Sequence, residues 1–478
     1  MNIMAAKEIS QFFIYRWRYV IGYTIFGALL TGLLIFAGLY VPGGISPEEI
    51  RATVRSDSLS FSNPTTFAIT SLPFYMFQKL IFYFFGVTEF SIKLPALIIA
   101  LLSAVGLFFL LRRWYKTNIV VLTSLIAITT GQFLFIAQNG TPGILFVFWP
   151  IVLLTLGTQV TRAKKARFFW KISFASAAAL SLYTPLSIYP LLATVLVVML
   201  HPHLRIIVRR LSKLKITVSI VLAAMLVTPL VYLISIQPQL GLNLLGAPAV
   251  WPPDIGANVV TLLQQFFLFW EPSTGTLMTP VFGFGSILII GLGIYRLVLT
   301  RDTTRSYLII VWLLFLIPVL LINPIFTSVT FVPSVLLLAA GLTSLIGYWY
   351  RLFPLNPYAR IAGLIPIVIL VSTLIGSGLD RYLYGYHYAP STAANFSNDL
   401  QLIPKNTRNL VVSNDELAFY QAVARHQSGV SVTTTAQSDQ FVATRAARED
   451  VPSAYAITRI ITTTYSNNSD RLYVYKKT

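Results

Sequence analysis

Acidic residues are scarce in this chain and unevenly placed. Of 478 residues only 16 are Asp or Glu, against 35 Lys and Arg. Glu48, Glu49 and Asp57 fall in one short polar stretch directly after the first long apolar run, interleaved with Arg51 and Arg55. A carboxylate there can take a proton from a hydroxyl, and an arginine beside it can clamp a phosphate through two parallel N–H···O bonds. Together they mark this stretch as the edge of a candidate active site. Glu48 and Glu49 are the candidate catalytic acids. Arg51 and Arg55 are candidate phosphate ligands, as is Lys93 at the edge of the next apolar run. Plainer readings stand beside these: acids that favour a helix dipole, arginines paired with Glu48 or Asp57, and a lysine that snorkels to headgroups. Trp251, Trp270 and Glu271 lie in a long loop and are candidates for contact with a bound substrate. Interfacial anchoring is the plainer role for the two tryptophans. No Asp-x-Asp pair or His cluster calls for a metal, and no cofactor is expected.

The elements that must hold these residues are membrane helices. Hydrophobic residues make up 56% of the chain and charged residues 11%, with a mean hydropathy of +0.73. A soluble domain of this size is far more polar. The net charge of +19 points to basic cytoplasmic loops and anionic headgroups rather than to nucleic acid. With no cysteine, disulfides, thiol nucleophiles and Fe–S clusters are excluded.

About eleven spans follow from the apolar runs. Tyr19–Tyr40 is the first, expected to stay as an anchor because it lacks a clear cleavage site. Ser46-Pro47-Glu48-Glu49 reads as a helix start, giving a short helix to about Val54. A polar loop to Pro64 follows, then an aromatic segment, Pro64–Phe85, that lies on or dips into the membrane. Further spans are Ser91–Leu111, Asn118–Ile136, Ile144–Leu156, two short ones within Ile172–Leu200 broken near Tyr183-Thr184-Pro185, Ile216–Ile236, Val281–Leu299, Tyr307–Ile322, Thr330–Trp349 and Ile361–Leu379. Gln237–Pro280 reads as a long outer loop. With the N-terminus inside, every basic cluster falls on the cytoplasmic side: Arg112/Arg113, Arg162–Lys171, Arg205–Lys215, Arg296–Arg305 and Arg351/Arg360. An odd number of spans then puts the C-terminus outside.

From Asp380 the composition turns polar. Asn409–Ser413, Val430–Thr435, Ala454–Ile460 and Arg471–Tyr475 read as strands and Asp415–His426 as a helix. Residues 380–478 thus form a small extracytoplasmic α/β domain, with no glycine-rich phosphate loop, after a transmembrane domain spanning 1–379.

Over residues 40–115 the chain resembles the GT-C glycosyltransferases, in the branch of the protein O-mannosyltransferases and the lipid A aminoarabinose transferase. Three stretches carry the likeness: Glu48-Glu49-x-Arg51, where relatives have Asp-Glu; Leu72-Pro73-Phe74-Tyr75 through Phe85-Gly86; and Thr88-Glu89-Phe90-Ser91-Ile92-Lys93-Leu94-Pro95. It departs in having Glu for the first Asp, Thr70-Ser71 where relatives carry His, and no Arg-Tyr before Pro333. The resemblance implies an α-helical polytopic membrane enzyme with Glu48 as its base. Such an enzyme moves a sugar, with inversion, from a polyprenyl-phosphate donor to a lipid, glycan or protein acceptor at the outer face. Membrane lipids, the donor and that acceptor would be its partners. Two other classes stay open: a transporter or flippase, which would carry ionised groups inside its spans, and a non-catalytic scaffold with a binding tail.

Overall fold

A computed structural model describes residues 44–162, 166–209, 213–267, 281–352, 362–384, 396–426, 429–462 and 471–478, with scattered positions between 17 and 35. The expected first span therefore lies mostly outside the described residues, as do Trp270 and Glu271.

Six of the described helices are long and apolar enough to cross a membrane: Glu89–Trp114, Pro142–Arg162, Lys213–Ile236, Thr304–Ile322, Pro324–Leu352 and Ile365–Tyr382. Two bent pairs raise this to as many as eight. The expected span Asn118–Ile136 is one of them, because Thr117–Ile128 and Gly131–Gln138 meet at 61°. The break has a local cause. The hydroxyls of Thr129 and Thr130 turn back onto the carbonyls of Leu125 and Ala127, and Thr130 Oγ1 also accepts the Phe133 N–H and starts the second helix. Ile172–Leu200 is divided between two helices, Arg167–Ser181 and Ile188–Leu200.

That division decides which loops share an end. Arg162 Nη1 donates to Arg113 O at 3.0 Å and Arg305 Nη1 to Trp114 O at 2.5 Å. His201 Nε2 lies 3.2 Å from Asp302 O. The basic loops after four separate helices thus gather at one end of the bundle. The acidic loop lies at the other end, where the Leu182–Ser187 turn also sits, its Tyr183 O accepting the Ser71 N–H.

The bundle is held by close helix pairs. Phe284–Leu299 packs on Phe331–Leu352, and a Cβ on either Gly293 or Gly341 would stand 2.0 Å from a backbone oxygen of the facing helix. Such a small-residue seam lets backbones approach where lipid supplies no hydrophobic drive. Gln237–Pro280 is not a plain loop. It contains helices Pro238–Leu245 and Ile255–Phe267; Pro238 stands at a helix start, where its missing N–H costs nothing.

The C-terminal part forms a five-stranded sheet ordered β2-β1-β3-β5-β4. Its strands are β1 (Asn409–Val411), β2 (Ser431–Thr433), β3 (Gln440–Thr444), β4 (Tyr455–Thr462) and β5 (Arg471–Lys477). β1 runs parallel to β2 and β3, while β5 is antiparallel to β3 and β4. Strand β3 was not legible beforehand. Helix Asn414–His426 lies against helix Pro47–Ser58. Leu410, Phe419, Tyr420 and Leu472 share one core with Ile45, Phe82 and Ile92 of the acidic-loop end. The sheet domain is therefore packed onto that end.

Candidate functional site

The acidic stretch forms one helix, Pro47–Ser58, four residues longer than its sequence suggested. Ser46 caps it: Ser46 Oγ accepts the Glu49 N–H at 3.2 Å and Glu49 Oε2 accepts the Ser46 N–H at 2.8 Å. This reciprocal capping box satisfies two helix-start donors. Helical periodicity then divides the side chains. Glu49, Ala52, Thr53 and Ser56 are buried; Glu48, Arg51 and Arg55, at spacings of three and four, share the exposed face.

On the buried face Glu49 is wholly enclosed, at 0% exposure. Its Oε1 accepts the Gly140 N–H at 2.6 Å and lies 3.7 Å from Lys93 Nζ. Lys93 is 1% exposed and donates to Gln138 Oε1 at 3.2 Å. Its ammonium also stands 5.9 Å from the Phe396 ring centroid. Gln78 closes the circuit. Its Nε2 donates to Ile92 O at 3.0 Å and to Gly140 O at 3.3 Å, while its Oε1 accepts from Ser56 Oγ at 2.5 Å, back on the acidic helix. Asn139 Oδ1 receives Ser46 Oγ at 3.4 Å. A buried ion pair is tolerated only where further hydrogen bonds satisfy both charges, and here two backbone amides and a side-chain amide do so. Gly140 is required by space as well, since a Cβ there would stand 2.5 Å from Ile92 O.

Lys93 is therefore enclosed rather than at an open edge, and it braces the acid that underlies the helix. Its hydropathy context marked it as the edge of a span, and its partner lies 44 positions away. Gln78 is not among the residues expected at the site. Gln78 had one signal, as the only uncharged amide in an apolar-aromatic helix, Leu72–Phe85.

The exposed face is different. Glu48 and Arg51 make no hydrogen bond or ion pair among the described residues. The Arg55 guanidinium lies close to the Tyr75 hydroxyl. Burial pushes the Tyr75 phenol above its ordinary range; the neighbouring Arg55 pulls against this and the Glu48 charge adds to it. The phenol thus stays a neutral donor beside Glu48 and Arg55. Asp57 does not pair with either arginine: it binds Arg425 Nη1 at 2.5 Å and lies 3.5 Å from His426 Nε2. Lys79 Nζ reaches the Asp57 and Leu59 carbonyls and ties the loop after the helix to Leu72–Phe85. Glu89 accepts the Gly44 N–H at 2.8 Å and bonds Gln401 of the C-terminal part.

Trp251 stands 72% exposed between the two helices of the former loop and has no partner among the described residues. Tyr183 and Thr184 serve packing: Tyr183 OH donates to Leu226 O and Thr184 Oγ1 accepts from Trp149 Nε1. Among the described residues no three His, Asp or Glu side chains gather as a metal site.

Residues 71–232 match the family model described as dolichyl-phosphate-mannose-protein mannosyltransferase. The match starts after the acidic helix and takes in Lys93, Gln138 and Gly140. No curated protein matches the chain by sequence. Among solved structures, ArnT from Cupriavidus metallidurans in the apo state superposes with a TM-score of 0.57 at 13% identity, over 96% of this chain and 98% of that one. The same ArnT bound to undecaprenyl phosphate gives 0.51 at 12% identity, over 95% and 98%. The Archaeoglobus fulgidus oligosaccharyltransferase tethered to an acceptor peptide gives 0.50 at 14% identity, over 86% of this chain and 64% of that one. The chain thus has a GT-C fold with a small sheet domain, as the resemblance implied, and is a multi-pass membrane protein.

Proposed function

We propose that the chain is a membrane glycosyltransferase whose working surface is the exposed face of helix Pro47–Ser58, with Glu48 as the base. One observation carries the assignment between the two acids. Glu49 is committed to Ser46, Gly140 and Lys93, whereas Glu48 projects from the same helix turn without a partner among the described residues. A base must be free to take a proton.

The donor class is a polyprenyl-phosphate sugar. The structural relative bound to undecaprenyl phosphate and the relative tethered to an acceptor peptide support that class of donor and a separately bound acceptor. In the step, an acceptor hydroxyl oxygen attacks the anomeric carbon and its proton passes to the Glu48 carboxylate. The bond from that carbon to the phosphate oxygen breaks, and its electron pair leaves with the polyprenyl phosphate. Attack opposite the leaving group inverts the anomeric centre. Arg51 and Arg55 face the same side as Glu48 and would take the developing phosphate charge. Glu49 and Lys93 act as positioning residues that fix the helix beneath them. Trp251, Trp270 and Glu271 remain candidates for the acceptor side. The side of the membrane follows from charge: the arginine-rich end is cytoplasmic by the positive-inside rule, which puts Glu48 and the C-terminal domain outside.

A transporter reading predicts ionised acids inside the spans. Among the described residues the acids of the long helices sit at their termini, Glu89 and Asp380 included, which favours the enzyme.

The test uses purified protein, a panel of labelled polyprenyl-phosphate sugars, and native membranes as acceptor source. Wild type is expected to consume one donor, and Glu48→Gln to bind that donor without consuming it. Equal consumption by both proteins would remove Glu48 from the role.

A further inference from the structure

The arginine-rich end holds a second feature that sugar transfer at the opposite end does not use. A cavity of about 600 Å³ lies among the ends of Glu89–Trp114, Leu145–Arg162, Arg167–Ser181, Ile188–Leu200 and Thr304–Ile322. That is the size of a small-molecule site. Its wall is apolar, with Leu153, Phe174, Val197 and Leu308 on it, and its mouth carries Arg113, Arg162, Arg305 and His203. No Asp or Glu lines it. Asp302, just before the lining Thr303 and Thr304, pairs with none of these arginines.

One side of the cavity is a short helix, Pro202–Arg209, turned 92° from Ile188–Leu200. It has the pattern of a helix lying along a membrane surface. Leu204, Ile207 and Val208, at spacings of three and four, face the cavity. His203, Arg205 and Arg209 are on its exposed side.

The cations at the mouth are not equivalent. Arg162 and Arg305 each donate to a terminal carbonyl of Glu89–Trp114, Arg113 O and Trp114 O, and Arg305 also stacks 4.6 Å over the Tyr115 ring. They neutralise the negative end of that helix dipole. The Arg113 guanidinium is exposed and has no side-chain partner among the described residues.

We propose that this cavity holds one anionic glycerophospholipid, with an acyl chain against the leucine and valine wall and the phosphodiester on Arg113 at the mouth. The charge asymmetry selects the occupant: an apolar chamber with only cations at its rim, roofed by an interfacial helix, suits an amphiphile with a negative headgroup. A neutral lipid offers Arg113 no phosphate, and a zwitterionic one brings its own cation to a rim that holds only cations. The site is separate from the Glu48 face and does not depend on the sugar-transfer reading.

The experiment is native mass spectrometry of the full chain released from nanodiscs of mixed phosphatidylglycerol and phosphatidylcholine. Wild type is expected to retain one phosphatidylglycerol and no phosphatidylcholine. Arg113→Gln removes the free cation and should lower that occupancy about tenfold, the value of one lost charge-assisted contact. Thr158→Trp, at a half-buried position on the wall, fills the chamber and should abolish retention while leaving Arg113 in place. Equal retention of the two lipids by wild type, or retention unchanged in both variants, would overturn the proposal. So would exclusive retention of undecaprenyl phosphate when it is added to the discs.

Discussion

The two faces of helix Pro47–Ser58 carry the same chemistry in different surroundings. Glu49 and Lys93 form a carboxylate–ammonium pair out of reach of water, each held by further hydrogen bonds. Glu48 and Arg51, a residue or two away, bring the same kinds of charge to an open surface and pair with nothing among the described residues. The inner face has already given its charges to the fold. The outer face keeps its charges available, which a group that must exchange a proton or bind a phosphate requires. Neighbouring acids in one sequence motif thus meet opposite surroundings, one enclosed and one open.

The largest effects should separate the faces cleanly. Glu48→Gln is expected to lower turnover by about 10²–10⁴-fold, the usual contribution of a general base, with an unchanged thermal midpoint. Glu49→Leu should do the reverse first. It leaves Lys93 buried without its partner, at a cost on the order of 3–5 kcal/mol, and a large drop in thermal midpoint reports it. The sharper form is a double-mutant cycle. Glu49→Leu with Lys93→Met should be less unstable than the sum of the single changes, because no lone charge then remains. Additive losses would mean that the two charges do not act as a pair and would erase the contrast between the faces.

Arg51 and Arg55 come next. Each lost charge-assisted phosphate contact is expected to raise the KM for the donor by about tenfold, with little change in thermal midpoint. Arg51→Lys should recover only part of this, since an ammonium cannot make the planar two-point contact. A fall in kcat with KM unchanged would place these arginines on the transition state alone and alter their assigned role.

What was legible in the chain follows the same division. Ser46-Pro47-Glu48-Glu49 announces a capped helix because capping is settled within four residues. The basic loops announce their common end because hydropathy and charge are read segment by segment. Nothing local reports that Glu49 will meet Gly140, 91 positions on, or that Lys93 will turn inward rather than toward headgroups. Both outcomes are set by tertiary packing of Glu89–Trp114 against its neighbours. The missed strand β3, Gln440–Thr444, is a similar case: five residues with four buried show no alternation, and the parallel and antiparallel partners of β3 decide its state. The helices within Gln237–Pro280 were hidden because proline marks a loop and a helix start equally well.

The smallest expected effect tests whether the cap belongs to the inner face. Ser46 Oγ satisfies the Glu49 N–H and also reaches Asn139, so Ser46→Ala should cost about 1 kcal/mol and lower the thermal midpoint modestly. Glu49 keeps its bonds to Gly140 and Lys93 in that variant, so the helix should hold its place and the rate of sugar transfer should stay near that of wild type. A rate loss approaching that of Glu48→Gln would show that Glu48 depends on the cap for its position. The two faces would then be one coupled unit rather than a rigid base beneath a free surface.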